Sequence, residues 1–158
     1  MPAKPVVAML VTKGTQEEVL SEATVARINA RFEARWPACE GKLSAEDAAQ
    51  LAAGAQGCMT GWGSPCVNSA ILSRAPNLKI LAHSAGSVKP YVSDELWKRG
   101  ILVTSAAAGI AVDVAHYTIG LMSIGRKNIM ELSPQVNAGQ WRGGQAHRPP
   151  ESLRRSVV

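Results

Sequence analysis

Lys79-Ile80-Leu81-Ala82-His83-Ser84-Ala85-Gly86-Ser87-Val88-Lys89-Pro90 decides how this chain reads. The first five residues form an unbroken, largely apolar run, the pattern of a strand buried on both faces of a parallel sheet. Small side chains and a glycine follow at once. A turn of that composition lets backbone N–H groups approach a ligand closely and form an anion-binding concavity. A carboxylate or phosphate oxygen is the natural guest. Lys89 either adds a positive charge at the end of this loop or points to solvent.

Working outward, Ser93 caps a helix expected over residues 94–99, and Gly100 closes it as a C-terminal glycine does. A strand at 101–104 and a long apolar helix over about 110–126 come next. Upstream, residues 6–11 read as a first buried strand, too short for the apolar core of a signal peptide. Thr15-Gln16-Glu17-Glu18 is a capping box, opening a helix that carries Val25, Ile28 and Phe32 at helical spacing and ends by Pro37. Ser44-Ala45-Glu46-Asp47 repeats the signal before an Ala-rich helix stopped by Gly54. Residues 57–60 form a short strand, and Ser64-Pro65 reads as the N-cap and first position of a helix reaching Ala75. Strands alternating with helices over short turns predict an α/β fold built on a doubly wound parallel sheet. Pro134 predicts a kink or two short pieces within a helical stretch at 128–138. Residues 139–150 read as loop, and 156–158 as the opening of another strand.

Composition narrows the classes. At 158 residues, 46% apolar and with few aromatic residues, the chain can build one good core. Residues 106–125 approach membrane-spanning length, but Asp113 and His116 interrupt them and Ala and Gly dilute them, so they read as a core or interface helix. The net charge of +5 concentrates near the C-terminus, where Arg126, Lys127, Arg142, Arg148, Arg154 and Arg155 face only Glu131 and Glu151. Without aromatic interleaving or a basic helix face, this is a solvated connector rather than a nucleic-acid arm. Cys39, Cys58 and Cys66 form neither an even disulfide framework nor a metal-ligand spacing, so free thiols in a reducing cytoplasm are expected, with no metal site.

Two patterns invite over-reading. Gly61-x-Gly63-x-x-Cys66 sits between a strand and a helix, as a dinucleotide fingerprint does, but Cys66 replaces the third glycine. No acidic residue ends the following strand to hold a ribose, so a plain turn is expected. Of the three histidines, His116 lies within the apolar helix and His147 in the basic connector. His83 ends a strand at the sheet edge where open α/β sheets bind ligands, which makes it the best placed of the three.

The ordered set Pro76-Asn77-Leu78-Lys79-Ile80, Ser84-Ala85-Gly86, Lys98-Arg99-Gly100-Ile101-Leu102-Val103-Thr104, Val114-Ala115 and Ala138-Gly139-Gln140-Trp141 resembles the D-isomer-specific 2-hydroxyacid dehydrogenases. Phosphoglycerate dehydrogenase and glyoxylate/hydroxypyruvate reductase belong to that family. The resemblance implies a flavodoxin-like α/β substrate domain over residues 1–104, then an interdomain helix and connector over 105–158 that lead into a Rossmann domain. It further implies that backbone amides at Ala85, Gly86 and Ser87 hold a substrate carboxylate, with Ala85 and Val114 near the nicotinamide of NAD or NADP. The family's acidic residue and Asn or His are replaced here by Val88 and Lys89, and its Thr-Asn-x-Pro-Gly turn by Thr104-Ser105-Ala106-Ala107-Ala108. The family's Gly-x-Gly-x-x-Gly turn and its catalytic Arg, carboxylate and His have no counterpart, so no catalytic residue is expected in this chain. The resemblance therefore implies the N-terminal part of a cytoplasmic, homodimeric 2-oxo acid/D-2-hydroxy acid oxidoreductase, inactive alone. The rival expectation is a non-enzymatic binding or regulatory module that keeps the substrate-domain fold.

Overall fold

The computed structural model describes residues 3–38 and 41–140. Five strands, β1 (Val6–Met9), β2 (Glu33–Arg35), β3 (Gly57–Thr60), β4 (Ile80–His83) and β5 (Leu102–Ser105), form one sheet in the order β2-β1-β3-β4-β5. Every pairing is parallel. This is the flavodoxin-like order, and the winding reverses between β1 and β3. Ligands in such sheets bind outside the carboxyl ends of the strands at that reversal.

The register explains the core. Ala8, Cys58, Leu81 and Val103 are lined up across β1, β3, β4 and β5. Their side chains meet three helices: α3 (Ala45–Leu51) through Ala48 and Ala49, α4 (Ser69–Arg74) through Ile71 and Leu72, and α5 (Asp94–Lys98) through Leu96. Small alanines on α3 let that helix lie close to α4. The neighbouring row, Val7, Gly57, Ile80 and Leu102, belongs to the opposite face, where Leu102 is 60% exposed.

Helix starts follow side-chain caps. Ser44 and Ser93 accept from the amides of Asp47 and Leu96, as their sequence contexts predict. The other two cap readings are corrected. Thr12, not Thr15, opens α1 (Lys13–Val19), because its hydroxyl accepts the Thr15 amide while the Thr15 hydroxyl donates to the Trp62 carbonyl. Ser21 then starts a separate α2 (Glu22–Arg31), so the single helix expected there is two. Ser64 caps no helix, because its hydroxyl donates to the Leu10 carbonyl at 2.6 Å. Asn68 takes over, accepting from Ala70 and Ile71 at the start of α4. Strand β2 carries no apolar run of its own; pairing with β1 and a bond from Arg35 to the Ala53 carbonyl hold it.

Packing divides the chain into two units, Met1–Ala108 and Gly109–Val158. The described part of the second consists of most of α6 (Ala107–Arg126) and of α7 (Ile129–Asn137). Helix α6 is long and apolar enough to cross a membrane by length and composition, and none of its residues is buried. Thr118 and Ser123 donate to the carbonyls four residues back, which leaves Val112, Val114, Ile119 and Leu121 to dominate its exposed surface. Helix α7 runs as one element with Pro134 inside it rather than as two pieces. The connector after Gln140, the strand expected at 156–158, Cys39 and His147 lie outside the described residues.

Gly61, just past β3 at the winding reversal, has no room for a side chain. A Cβ there would sit 2.8 Å from Ser84 Oγ and 2.9 Å from Val11 Cγ1. Gly61→Ala should therefore lower stability by about 1–3 kcal/mol through overpacking, read as a lower urea midpoint. An unchanged midpoint would show that Val11 and Ser84 yield freely.

Candidate functional site

The carboxyl ends of β1, β3 and β4 converge on the loop that follows β4. Thr60, the last residue of β3, fixes where that loop begins. Its carbonyl accepts the Ser84 amide at 2.8 Å and the Ser84 hydroxyl at 3.1 Å. Its hydroxyl lies 3.0 Å from His83 Nδ1. Ala85 turns inward and is buried, and the carbonyls of both His83 and Ala85 accept the Ala106 amide at 3.1 Å. Gly86 is half-buried, Ser87 exposed and Val88 half-buried. Lys89, Pro90 and Tyr91 close the loop as a 3-10 turn, with Lys89 exposed.

Among the described residues, the N–H groups of Ala85, Gly86, Ser87 and Val88 have no hydrogen-bond partner. Four successive donors past a strand's carboxyl end can donate to an anion's oxygens without breaking another hydrogen bond. The expected substrate-binding residues Ala85, Gly86 and Ser87 are contiguous, and their amides are without a hydrogen-bond partner among the described residues. Val114, expected near a cofactor, lies on α6 in the second unit and is more than half exposed.

Beneath the loop, His83 is buried and its ring stacks on Tyr91, with centroids 4.4 Å apart and 30° between planes. Its Nε2 has no partner among the described residues. Burial pushes its pKa below the ordinary 6.5, so the ring is neutral near pH 7. Among the described residues no carboxylate bonds to it; the Thr60 hydroxyl at Nδ1 is what orients the ring. Tyr91 is the residue that reading along the chain missed; an aromatic residue closing a small-residue loop that opens on a histidine is the signal that could have found it.

The Gly61-x-Gly63-x-x-Cys66 turn does not fit a dinucleotide. The Gly61 amide donates to Ser64 Oγ at 2.8 Å, the space over Gly61 is filled by Ser84 and Val11, and Asn68 already takes the first amides of α4. Burial pushes the Cys58 thiol up to about 12 and raises that of Cys66 as well, so neither is an activated nucleophile at neutral pH. Among the described residues no three His, Cys, Asp or Glu side chains gather as metal ligands. A cavity of about 400 Å³ lined by Trp36, Pro37, Leu43 and Leu51, and a groove of about 620 Å³ along α1 and α2, include no residue of the loop.

The chain resembles 2-hydroxyacid-type reductases in sequence and shares a fold with them. It is 29% identical over 75 residues to a glyoxylate reductase of Thermofilum pendens, an alignment covering 48% of this chain and 22% of that protein. Its fold matches the PH0520 protein of Pyrococcus horikoshii with a TM-score of 0.71 at 20% identity, over 95% of this chain and 43% of that one. It also matches an NADPH-dependent glyoxylate/hydroxypyruvate reductase of Sinorhizobium meliloti, solved with citrate, with a TM-score of 0.61 at 19% identity over 96% and 45% of the two chains. The chain thus spans less than half the length of these proteins. No family model matches it.

The buried histidine makes stability pH-dependent. Its folded pKa lies below its unfolded one, so between the two values only the unfolded chain holds the extra proton, and stability is lost as pH falls through 6.5. The urea midpoint should drop between about pH 7.5 and about pH 5.5, and His83→Phe should flatten that dependence. The same slope in both proteins would assign it to other groups.

Proposed function

We propose that this chain is the substrate-facing part of an NAD(P)-dependent oxidoreductase that interconverts a 2-oxo acid and a D-2-hydroxy acid. One observation carries the reading: the row of N–H groups at Ala85, Gly86 and Ser87 that have no partner among the described residues, at the carboxyl end of β4 in a flavodoxin-like sheet. The sequence similarity to a glyoxylate reductase and the fold shared with a glyoxylate/hydroxypyruvate reductase support the same substrate class.

In this reading residues 1–104 form the substrate domain, and 105–158 supply an interdomain helix and connector toward a nucleotide-binding domain outside this chain. The carboxylate of the acid accepts from the Ala85, Gly86 and Ser87 amides, which fixes the neighbouring carbonyl carbon relative to the sheet. Ala85 borders the nicotinamide, and Val114, in the second unit, is a proposed cofactor neighbour on the family resemblance alone. When bound, the cofactor supplies hydride transfer; this chain contributes the carboxylate site and one wall of the cleft. The cofactor is NAD or NADP, and the choice between them falls to the nucleotide-binding domain. No catalytic acid or base is assigned to this chain, and it is inactive alone. Helix α6, with its exposed apolar surface, forms part of a homodimer interface in the longer, cytoplasmic protein, whose partners are small acids rather than nucleic acid or membrane.

Calorimetric titration of the 158-residue protein tests the site. Pyruvate should bind, and its neutral amide should bind at least about tenfold more weakly because the free amides prefer an anion. Glyoxylate with NADPH should not be turned over. Equal binding of acid and amide would remove the carboxylate site, and turnover would overturn the assignment of the acid/base to another domain. In sedimentation the isolated chain should self-associate through α6; a clean monomer would count against the interface.

A further inference from the structure

We infer that His83 and Tyr91 are positioning residues, a two-ring clasp at the neck of the loop that holds its amides in their receiving shape. The inference rests on the carboxylate reading for its ligand but not for its geometry.

Amides 85–88 make no hydrogen bond among the described residues. Donors left free for a ligand cannot also brace the loop that carries them. Beyond the Ala106 amide that the Ala85 carbonyl holds at 3.1 Å, the loop's shape comes from its ends and from what fills it. The seven residues 84–90 leave from His83 and return at Tyr91, and the two rings meet at 4.4 Å. A short loop with closed ends and its own side chain packed inside is a recurrent way to hold a functional surface segment. Here the inward-packed side chain is Ala85.

Each side of the clasp is anchored to a different part of the scaffold. On one side, His83 is the last residue of β4 and its Nδ1 lies 3.0 Å from the Thr60 hydroxyl on β3. On the other, the Tyr91 carbonyl accepts the Val67 amide at 2.9 Å, and Val92 pairs with Val67. Ser93, the cap of α5, donates to the Val67 carbonyl at 2.8 Å. The stack thus ties the end of the central sheet to the segment before α4 and the start of α5, and the loop spans the junction. Without the Tyr91 ring, the return end keeps its backbone anchor but loses its contact with the departing end.

Three forms of the 158-residue chain test this: wild type, Tyr91→Phe, which keeps the stack, and Tyr91→Ala, which removes it. Nitrogen-15 order parameters of Ala85–Val88 should stay near about 0.85 in the first two and fall below about 0.6 in the third. Pyruvate affinity should fall about tenfold in Tyr91→Ala and return in Tyr91→Phe, because the lost quantity is preorganisation. Should Tyr91→Ala not fold by circular dichroism, Tyr91→Leu fills similar space without a stacking ring and carries the same expectation. Unchanged order parameters in the ring-less variant would overturn the clasp whatever binds. A rigid wild-type loop that takes no pyruvate would instead overturn the carboxylate reading and leave the clasp standing.

Discussion

Thr60 is the residue on which the rest of the candidate site depends. Its carbonyl receives both the amide and the hydroxyl of Ser84, and its own hydroxyl meets His83. With three contacts, one side chain and one carbonyl at the end of β3 dictate how β4 ends. If β4 continued as a regular strand, the Ala85 and Gly86 amides would enter the ladder with a neighbour and be spent there. Because the chain turns at Ser84 instead, those donors stay out of the ladder. Gly61 completes the arrangement by letting Ser84 approach within a distance that any side chain at 61 would forbid.

The sheet order places this local device where it can matter. With β3 central and the winding reversing between β1 and β3, the crevice opens beside Val11, Gly61 and Ser84. The alanine-rich α3 and the buried Ile71, Leu72 and Leu96 hold one face of the sheet rigid beneath it. A binding loop gains precision from such a platform, because the strands that position it are fixed by burial rather than by the ligand. The same logic makes the buried His83 useful: a neutral ring under the loop packs without a charge to satisfy.

Much of this was legible along the chain because several signals were unambiguous. The apolar runs at β3 and β4 have one reasonable reading, and Ser44 and Ser93 each stand alone as the nearest capping hydroxyl. The loop announced itself by small residues after a strand. Elsewhere several hydroxyls competed. Thr12, Thr15 and Ser21 lie within ten residues, and only the Thr15 bond to the Trp62 carbonyl, a contact from a distant turn, decides which of them caps. Ser64 was a sound cap by local rules and lost that role to the Leu10 carbonyl. Strand β2 is Glu-Ala-Arg, with no propensity of its own, and exists because β1 offers an edge. The pairing of His83 with Tyr91 leaves only a faint linear signal, an aromatic residue closing a loop that opens on a histidine, because the contact forms only when the loop closes in space.

The amides at the end of β4 are the proposed acid-binding site. The most direct measurement is a nitrogen-15 chemical-shift titration of the 158-residue chain with pyruvate at near-neutral pH. Saturable shifts largest at the Ala85, Gly86 and Ser87 amides would agree with the account. Shifts confined to the cavity around Trp36 and Leu43, or none at the loop at any concentration, would contradict it.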